Sequence, residues 1–177
     1  MEIPLHLILG GSRSGKSRRA EEVAKAKNVP VTYVATYMTT PFDSEMDDRV
    51  ARHRQQRPGH WSTIENRFDL KAIFHEQRHT LILLDCLTLW LSYRHTTGSN
   101  EIAIMTELEA ALRDLVPENP GLIIVSNEVG LGLVPEAPED RSFRDMAGRA
   151  NQLVARYASR VEFMMAGLPL LLKGSNS

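Results

Sequence analysis

A single cysteine, Cys86, stands in the 177 residues, so no disulfide can close within the chain, and a reducing cytoplasm is the compartment expected. Charge of one sign is missing too. The 21 Lys and Arg nearly balance the 22 Asp and Glu, leaving a formal net charge of −1. That balance supplies no global attraction to nucleic acid or to an anionic membrane, so any basic character is local. No apolar run approaches the length that spans a bilayer, and the first residues carry neither the charged nor the apolar region of a signal peptide. Internal repeats and low-complexity segments are absent. Hydrophobic and charged contents of 42% and 24% are those of an ordinary globular protein. The length predicts one well-packed domain over residues 1–173, with 174–177 as a frayed tail.

What is present begins with Gly10, Gly11, Ser12, Arg13, Ser14, Gly15, Lys16 and Ser17. The stretch fits G-x-x-x-x-G-K-[ST], the phosphate-binding P-loop, in the setting that motif requires: a strand-like run enters it and a helix-like run leaves it. Glycines let the backbone wrap a phosphate with its N–H groups turned inward, at the positive end of the following helix. Lys16 is then expected to reach the outer phosphates, and the Ser17 hydroxyl to ligate Mg2+. A nucleoside triphosphate is the expected ligand.

Beyond the motif, the chain alternates. Strands are expected over 31–36, 61–65, 80–85, 122–126, 161–166 and 168–172. Helices are expected over 17–27, 44–56, 70–77, 87–93, 101–115 and 142–160, with loops over 37–43 and 127–140. The runs at 81–84 and 122–125 are continuously apolar, as in strands buried on both faces of a parallel sheet. The prediction is an α/β fold: a single P-loop NTPase-type domain whose mainly parallel central sheet is flanked by helices. In such sheets ligands bind beyond the carboxyl ends of the strands.

Four groups of residues are expected to gather at those ends. Asp85 closes a buried apolar strand, where a second acid near Mg2+ is usually supplied, although a strand-terminal Asp also caps helices. Arg49, Arg52, Arg54 and Arg57 crowd around His53. They form either a solvated helix face or a set of guanidinium groups holding a triphosphate about a nucleophilic imidazole. Glu128 opens a glycine-rich loop and is a candidate substrate contact or merely part of a tight turn. Arg141, Arg144 and Arg149 follow, suited to an anionic substrate or to pairing on a helix surface.

Taken together, the segments GGSRSGKSRRAE, YVAT, DSEMDDRVARHRQQRP, LLDCLTLWL, VSNEVGLGLVPE, FRDMAGRANQ and GLPLLLK resemble one family almost end to end. It is the bifunctional adenosylcobinamide kinase and adenosylcobinamide-phosphate guanylyltransferase of cobalamin biosynthesis. The patterns R-x-x-x-H-x-x-x-R-P and S-N-E-V-G-x-G-x-V-P are more specific to it than the P-loop. The resemblance implies ATP or GTP phosphorylating the terminal hydroxyl of adenosylcobinamide, then transfer of GMP from GTP through a GMP–histidine intermediate. The family's nucleophile falls on His53. Its nucleotide contacts fall on residues 10–17, Thr36, Arg54, Arg57, Glu65 and Asp85; the motif reading itself puts Ser17 and Asp85 at the metal. A homotrimer with nucleotide sites near subunit boundaries is also implied. Two features depart from the pattern: a longer loop over 37–41, and Asp85 where some members carry Glu.

Rival readings are a P-loop kinase of another pathway and a GTP-binding switch. The switch lacks an N-K-x-D guanine-reading motif, and its only D-x-x-G, Asp145 to Gly148, sits inside a predicted helix.

Overall fold

Burial decides which runs become strands. The structure, a computed structural model, describes residues 4–37 and 57–175; the expected helix over 44–56 and most of the loop before it lie outside the described residues. Leu5–Gly10 (β1) and Val31–Ala35 (β2) are buried throughout, and Leu81–Asp85 (β4) and Leu122–Asn127 (β5) at all but their last residue. Aliphatic runs of this kind are stable as strands only inside a sheet covered on both faces. Ser62–Glu65 (β3) forms one edge, and Arg160–Met165 (β6) and Leu168–Lys173 (β7) lie toward the other, in the order β3-β2-β4-β5-β1-β6-β7. The pairs from β3 to β6 are parallel, and β7 returns antiparallel to β6. The expected α/β architecture with a mainly parallel sheet is the observed one.

Alternation along the strands sorts the core into two layers. Leu7, Val34, Ile82, Leu84 and Ile124 face the helices Leu70–Glu76 (α2), Leu87–Thr96 (α3), Glu101–Arg113 (α4) and Pro138–Tyr157 (α5). Ile8, Tyr33, Leu83, Ile123 and Val125 face the other way, against Ala20 and Ala24 of Lys16–Ala26 (α1). Small residues on α1 let the helix lie close on the sheet, which fixes where its N-terminus points. Caps set other starts: Asp69 Oδ1 accepts from Ala72 N at 2.9 Å, and Asn100 Oδ1 from Ala103 N at 2.9 Å.

The last helix departs from expectation. It runs over Pro138–Tyr157 rather than 142–160, so the end of the expected loop is helical. Proline occupies the start, where its missing N–H costs nothing, and Glu139 and Asp140 complement the positive end. At its other end Ala158 turns extended, Ser159 N donates to Leu5 O at 2.9 Å, and Arg160 enters β6 opposite His6.

A buried ionic cluster clamps α1 to β1 and β6. Glu162, only 1% exposed, accepts from Arg19 Nε and Nη2 at 2.8 and 2.9 Å and from Arg160 Nε at 2.9 Å, with His6 Nε2 at 3.5 Å. Burial alone would raise its carboxyl, but the bonds from Arg19 and Arg160 outweigh that and hold it at about 2. Burial lowers the His6 imidazole to about 4; Glu162 pulls upward, while Arg160, Arg19 and Lys27 push further down.

Both shifts favour the folded state at higher pH. Unfolded His6 takes up a proton below 6.5 that the folded ring refuses until about 4, a contribution on the order of 3 kcal/mol across that window. Denaturant midpoints measured from pH 7 to 4 should therefore fall, and His6→Gln should flatten the decline. A second loss, belonging to Glu162, is expected from the ordinary carboxylate range down to about 2.

Candidate active site

β1 ends at Gly10, level with Asn127 of β5 and Met164 of β6. A Cβ there would lie 2.4 Å from Ser14 Oγ and 2.8 Å from the Met164 carbonyl oxygen, so only glycine fits. The turn that follows places Arg13 and Gly15 at φ of 56° and 95°. Ser14 N donates to Gly11 O at 3.3 Å, and Lys16 Nζ to the same carbonyl at 2.9 Å. Lys16 is 5% exposed at the start of α1, and Ser17 beside it is half-buried. Among the described residues, Ser14 Oγ is buried with no hydrogen-bond partner. A concave turn at a helix N-terminus, with a buried lysine and an unpartnered buried hydroxyl, is built for an anion.

The turn between β6 and β7 braces this loop, a contact the sequence reading did not anticipate. Gly167 N donates to Ser14 O at 3.1 Å, and a Cβ on Gly15 would stand 3.3 Å from Gly167 Cα. The available signal was Gly167 between two apolar runs, and the structure gives Ala166 and Gly167 positive φ; such a glycine marks a tight turn and not what the turn touches.

Asp85 stands at the carboxyl end of β4, in register with Ala35 and Val125. It does not cap α3, whose N-cap is Cys86 without a side-chain bond. Its Oδ2 instead accepts from Tyr33 OH at 2.6 Å. Burial, with the adjacent Asp85 charge, keeps the Tyr33 phenol well above its ordinary range, so it remains the donor. The Arg57 guanidinium lies 3.6 Å from the Tyr33 ring centroid, and its Nη1 is 3.9 Å from Glu65 Oε1. Arg57 and Glu65, with Pro58, Gly59, Trp61 and Thr63, line a cavity of about 400 Å3. Arg57 is thus connected through Tyr33 to Asp85. His53, Arg54, Arg49 and Arg52 lie outside the described residues.

Thr36, 1% exposed, uses its hydroxyl on the Cys86 backbone: it donates to Cys86 O at 2.7 Å and accepts from Cys86 N at 2.9 Å. It fixes the joint between the ends of β2 and β4. Burial raises the Cys86 thiol to about 12, which makes it inert.

Glu128 N donates to Gly10 O at 3.0 Å, and its Oε1 accepts from Gly130 N at 2.7 Å, so its carboxylate closes a tight turn beside the P-loop. Arg144 pairs with neighbouring Asp145 at 3.2 Å, Arg149 with Glu101, and Arg141 with the Pro135 and Glu136 carbonyls. Beneath them lies a network that the sequence reading missed. Ser126 Oγ donates to Asn151 Oδ1 at 2.7 Å, Asn127 N to Thr88 Oγ1 at 2.8 Å, and Asn151 Nδ2 to Asn127 O at 3.2 Å. These bonds tie α3, β5 and α5 at the level of the site. Among the described residues no three His, Cys, Asp or Glu side chains gather as a metal cluster.

A phosphate cradle at the end of a central strand, with an acid at the end of a nearby parallel strand, is shared by many enzymes. The whole chain narrows the choice. The family profile described as cobinamide kinase / cobinamide phosphate guanyltransferase matches residues 6–172. The chain belongs to this family. It is 42% identical over 171 residues to the bifunctional adenosylcobalamin biosynthesis protein CobP of Pseudomonas aeruginosa, covering 95% of this chain and 96% of that protein. It is 35% identical to the protein CobU of the same description from Escherichia coli, with 94% and 98% covered, and 34% identical to that of Salmonella typhimurium, again with 94% and 98%. No helix among the described residues is long and apolar enough to cross a membrane.

Gly10→Ala should displace Ser14 or the Met164 carbonyl and open the cradle. Nucleotide affinity measured by calorimetry is expected to fall by at least about tenfold, with the fold retained by circular dichroism.

Proposed function

We propose that both reactions of the family are carried out by this chain over the one cradle at residues 10–17. The observation that carries the reading is the union of a buried Lys16 at the start of α1 with Asp85 at the end of a parallel strand nearby. In the first reaction the terminal hydroxyl oxygen of adenosylcobinamide attacks the γ-phosphorus of ATP or GTP, the bond to the nucleoside diphosphate breaks, and the hydroxyl proton is released to water. In the second, an imidazole nitrogen of His53 attacks the α-phosphorus of GTP and pyrophosphate leaves. A phosphate oxygen of adenosylcobinamide phosphate then attacks that phosphorus, the N–P bond breaks, and the free imidazole returns with adenosylcobinamide-GDP as product. Lys16, Arg54 and Arg57 offset the charge that grows on the leaving groups.

The donor set suits Mg2+, which takes one or two protein oxygens and completes its shell with water and phosphate oxygens. Ser17 and Asp85 are the residues assigned to hold it, and the ion supplies charge neutralisation at the phosphates when bound. Arg57, stacked on the tyrosine that orients Asp85, and Glu65 beside it are assigned to the nucleotide, together with Thr36 through the strand ends it joins. Glu128 and Arg144 are assigned, more remotely, to the substrate side.

A cytoplasmic location, where both nucleotides are available, goes with this reading. So does a homotrimer: Met165, Leu168, Leu170 and Leu172 leave an apolar face of the β6–β7 hairpin exposed. Light scattering should return about three times the chain mass of 19.9 kDa.

The decisive experiment uses GTP labelled at the α-phosphate. Acid-labile, base-stable label should appear on the protein, be absent in His53→Ala, and leave on addition of adenosylcobinamide phosphate. His53→Ala should lose guanylyl transfer by at least about a thousandfold while retaining cobinamide phosphorylation. Full transferase activity in that variant would exclude the histidine intermediate.

A further inference from the structure

The segment that leaves β5 exposes four large aliphatic side chains within six residues. Leu133 is 96% exposed, Leu131 76%, Val134 67% and Val129 37%. Solvated loops rarely present such a stretch, and its position is fixed at both ends. At its start Glu128 N is bonded to Gly10 O at 3.0 Å, and Asn151 Nδ2 holds the Asn127 carbonyl at 3.2 Å. The Glu128 carboxylate closes the first turn on Gly130 N. At its end Arg141 Nη1 donates to the carbonyls of Pro135 and Glu136 at 2.9 and 2.6 Å. Polar anchors on both sides hold the aliphatic stretch, which begins beside the phosphate cradle and does not fold back onto the core.

We propose that Val129, Leu131, Leu133 and Val134 form the surface on which the corrin macrocycle of the acceptor rests. The inference is built on the kinase and transferase reading above. The acceptor reacts through a group at the tip of a short arm, and that tip must reach phosphates lying in the P-loop. The macrocycle is far too large to follow and has to lie on the rim. Its faces are broad and methyl-rich, and its polar amides hang from the periphery. Aliphatic side chains beneath one face bury apolar area on both partners while the amides stay in water. Adjacency to the cradle selects the acceptor as occupant over a second copy of the chain: the segment starts one hydrogen bond from Gly10, whereas the hairpin meets the cradle at its turn, through Gly167, and its bare leucines run along β7 at the edge of the sheet.

The test is the double variant Leu131→Ser, Leu133→Ser, whose exposed positions leave the core untouched. Equilibrium dialysis with adenosylcobinamide, read by corrin absorbance, should show its Kd raised by about tenfold or more. Calorimetric GTP affinity and the light-scattering mass should remain those of the unaltered protein. An unchanged Kd for adenosylcobinamide, beside normal turnover by the unaltered protein, overturns this surface and leaves the function standing. A variant that loses its assembled mass assigns the segment to a subunit contact and overturns it equally. An unaltered protein that neither binds nor phosphorylates adenosylcobinamide removes the functional reading, and this inference with it.

Discussion

Where β1 ends, the backbone passes between the Ser14 hydroxyl and the Met164 carbonyl with no room for a side chain. That close approach governs the site. β1 pairs in parallel register with β5 on one side and β6 on the other, so Asn127 and Met164 arrive level with Gly10. The P-loop therefore leaves from a notch between two strand ends. The β6–β7 turn grips its far side through Gly167 and Ser14. Held in this way, the loop has one direction in which to launch α1, and Arg19 locks that direction onto Glu162 of β6. Lys16 is buried at the helix start because the backbone on both sides of it is already fixed.

The chemistry of the sheet changes at its carboxyl edge. Through Leu84 and Val125 the strands are apolar and sealed between helices; at Asp85 and Ser126 the interior turns polar. An unbonded polar group buried there would cost on the order of 1–3 kcal/mol. Three joints answer that demand: Tyr33 with Asp85, Thr36 with Cys86, and Ser126 with Asn151. Each crosses between elements far apart in sequence. The strand ends are consequently fixed by directional bonds at the level where aliphatic packing, which has no preferred angle, gives out.

What could be read from the sequence follows from this division. The P-loop was legible because its glycines, lysine and serine are needed at fixed spacing for local reasons. The strands were legible from their continuous apolar runs. The start of the last helix was not. Pro135 and Pro138 within a glycine-rich stretch argue for a loop, yet a proline at the first helical position is favoured once Glu139 and Asp140 follow it. The end was missed because Arg160 suits a helix terminus on local grounds, and only pairing with His6 makes it strand. The tyrosine that orients Asp85, the clamp on Glu162 and the role of Asn151 depend on register, which no local pattern encodes. Asp85 itself was placed correctly at a strand end, but its partner had to come from β2. His53 lies outside the described residues, so its reading rests on sequence pattern alone.

The two edges of the sheet are managed differently. β3 is short and only partly exposed, and Arg57 and Trp61 lie beside it. β7 is longer, with Leu168, Leu170 and Leu172 bare along one face. An open edge invites strand addition, but Pro169 removes a backbone donor from β7. Lys173 Nζ bonds the Ala155 and Arg156 carbonyls at 2.9 and 3.2 Å, tying the strand's end to the last turn of α5. The hairpin is thus fixed to the domain and blunted along its hydrogen-bonding edge, while the leucines on its face remain uncovered. Face-to-face burial is the mode of contact such a strand leaves open, and it would add apolar area without extending the sheet.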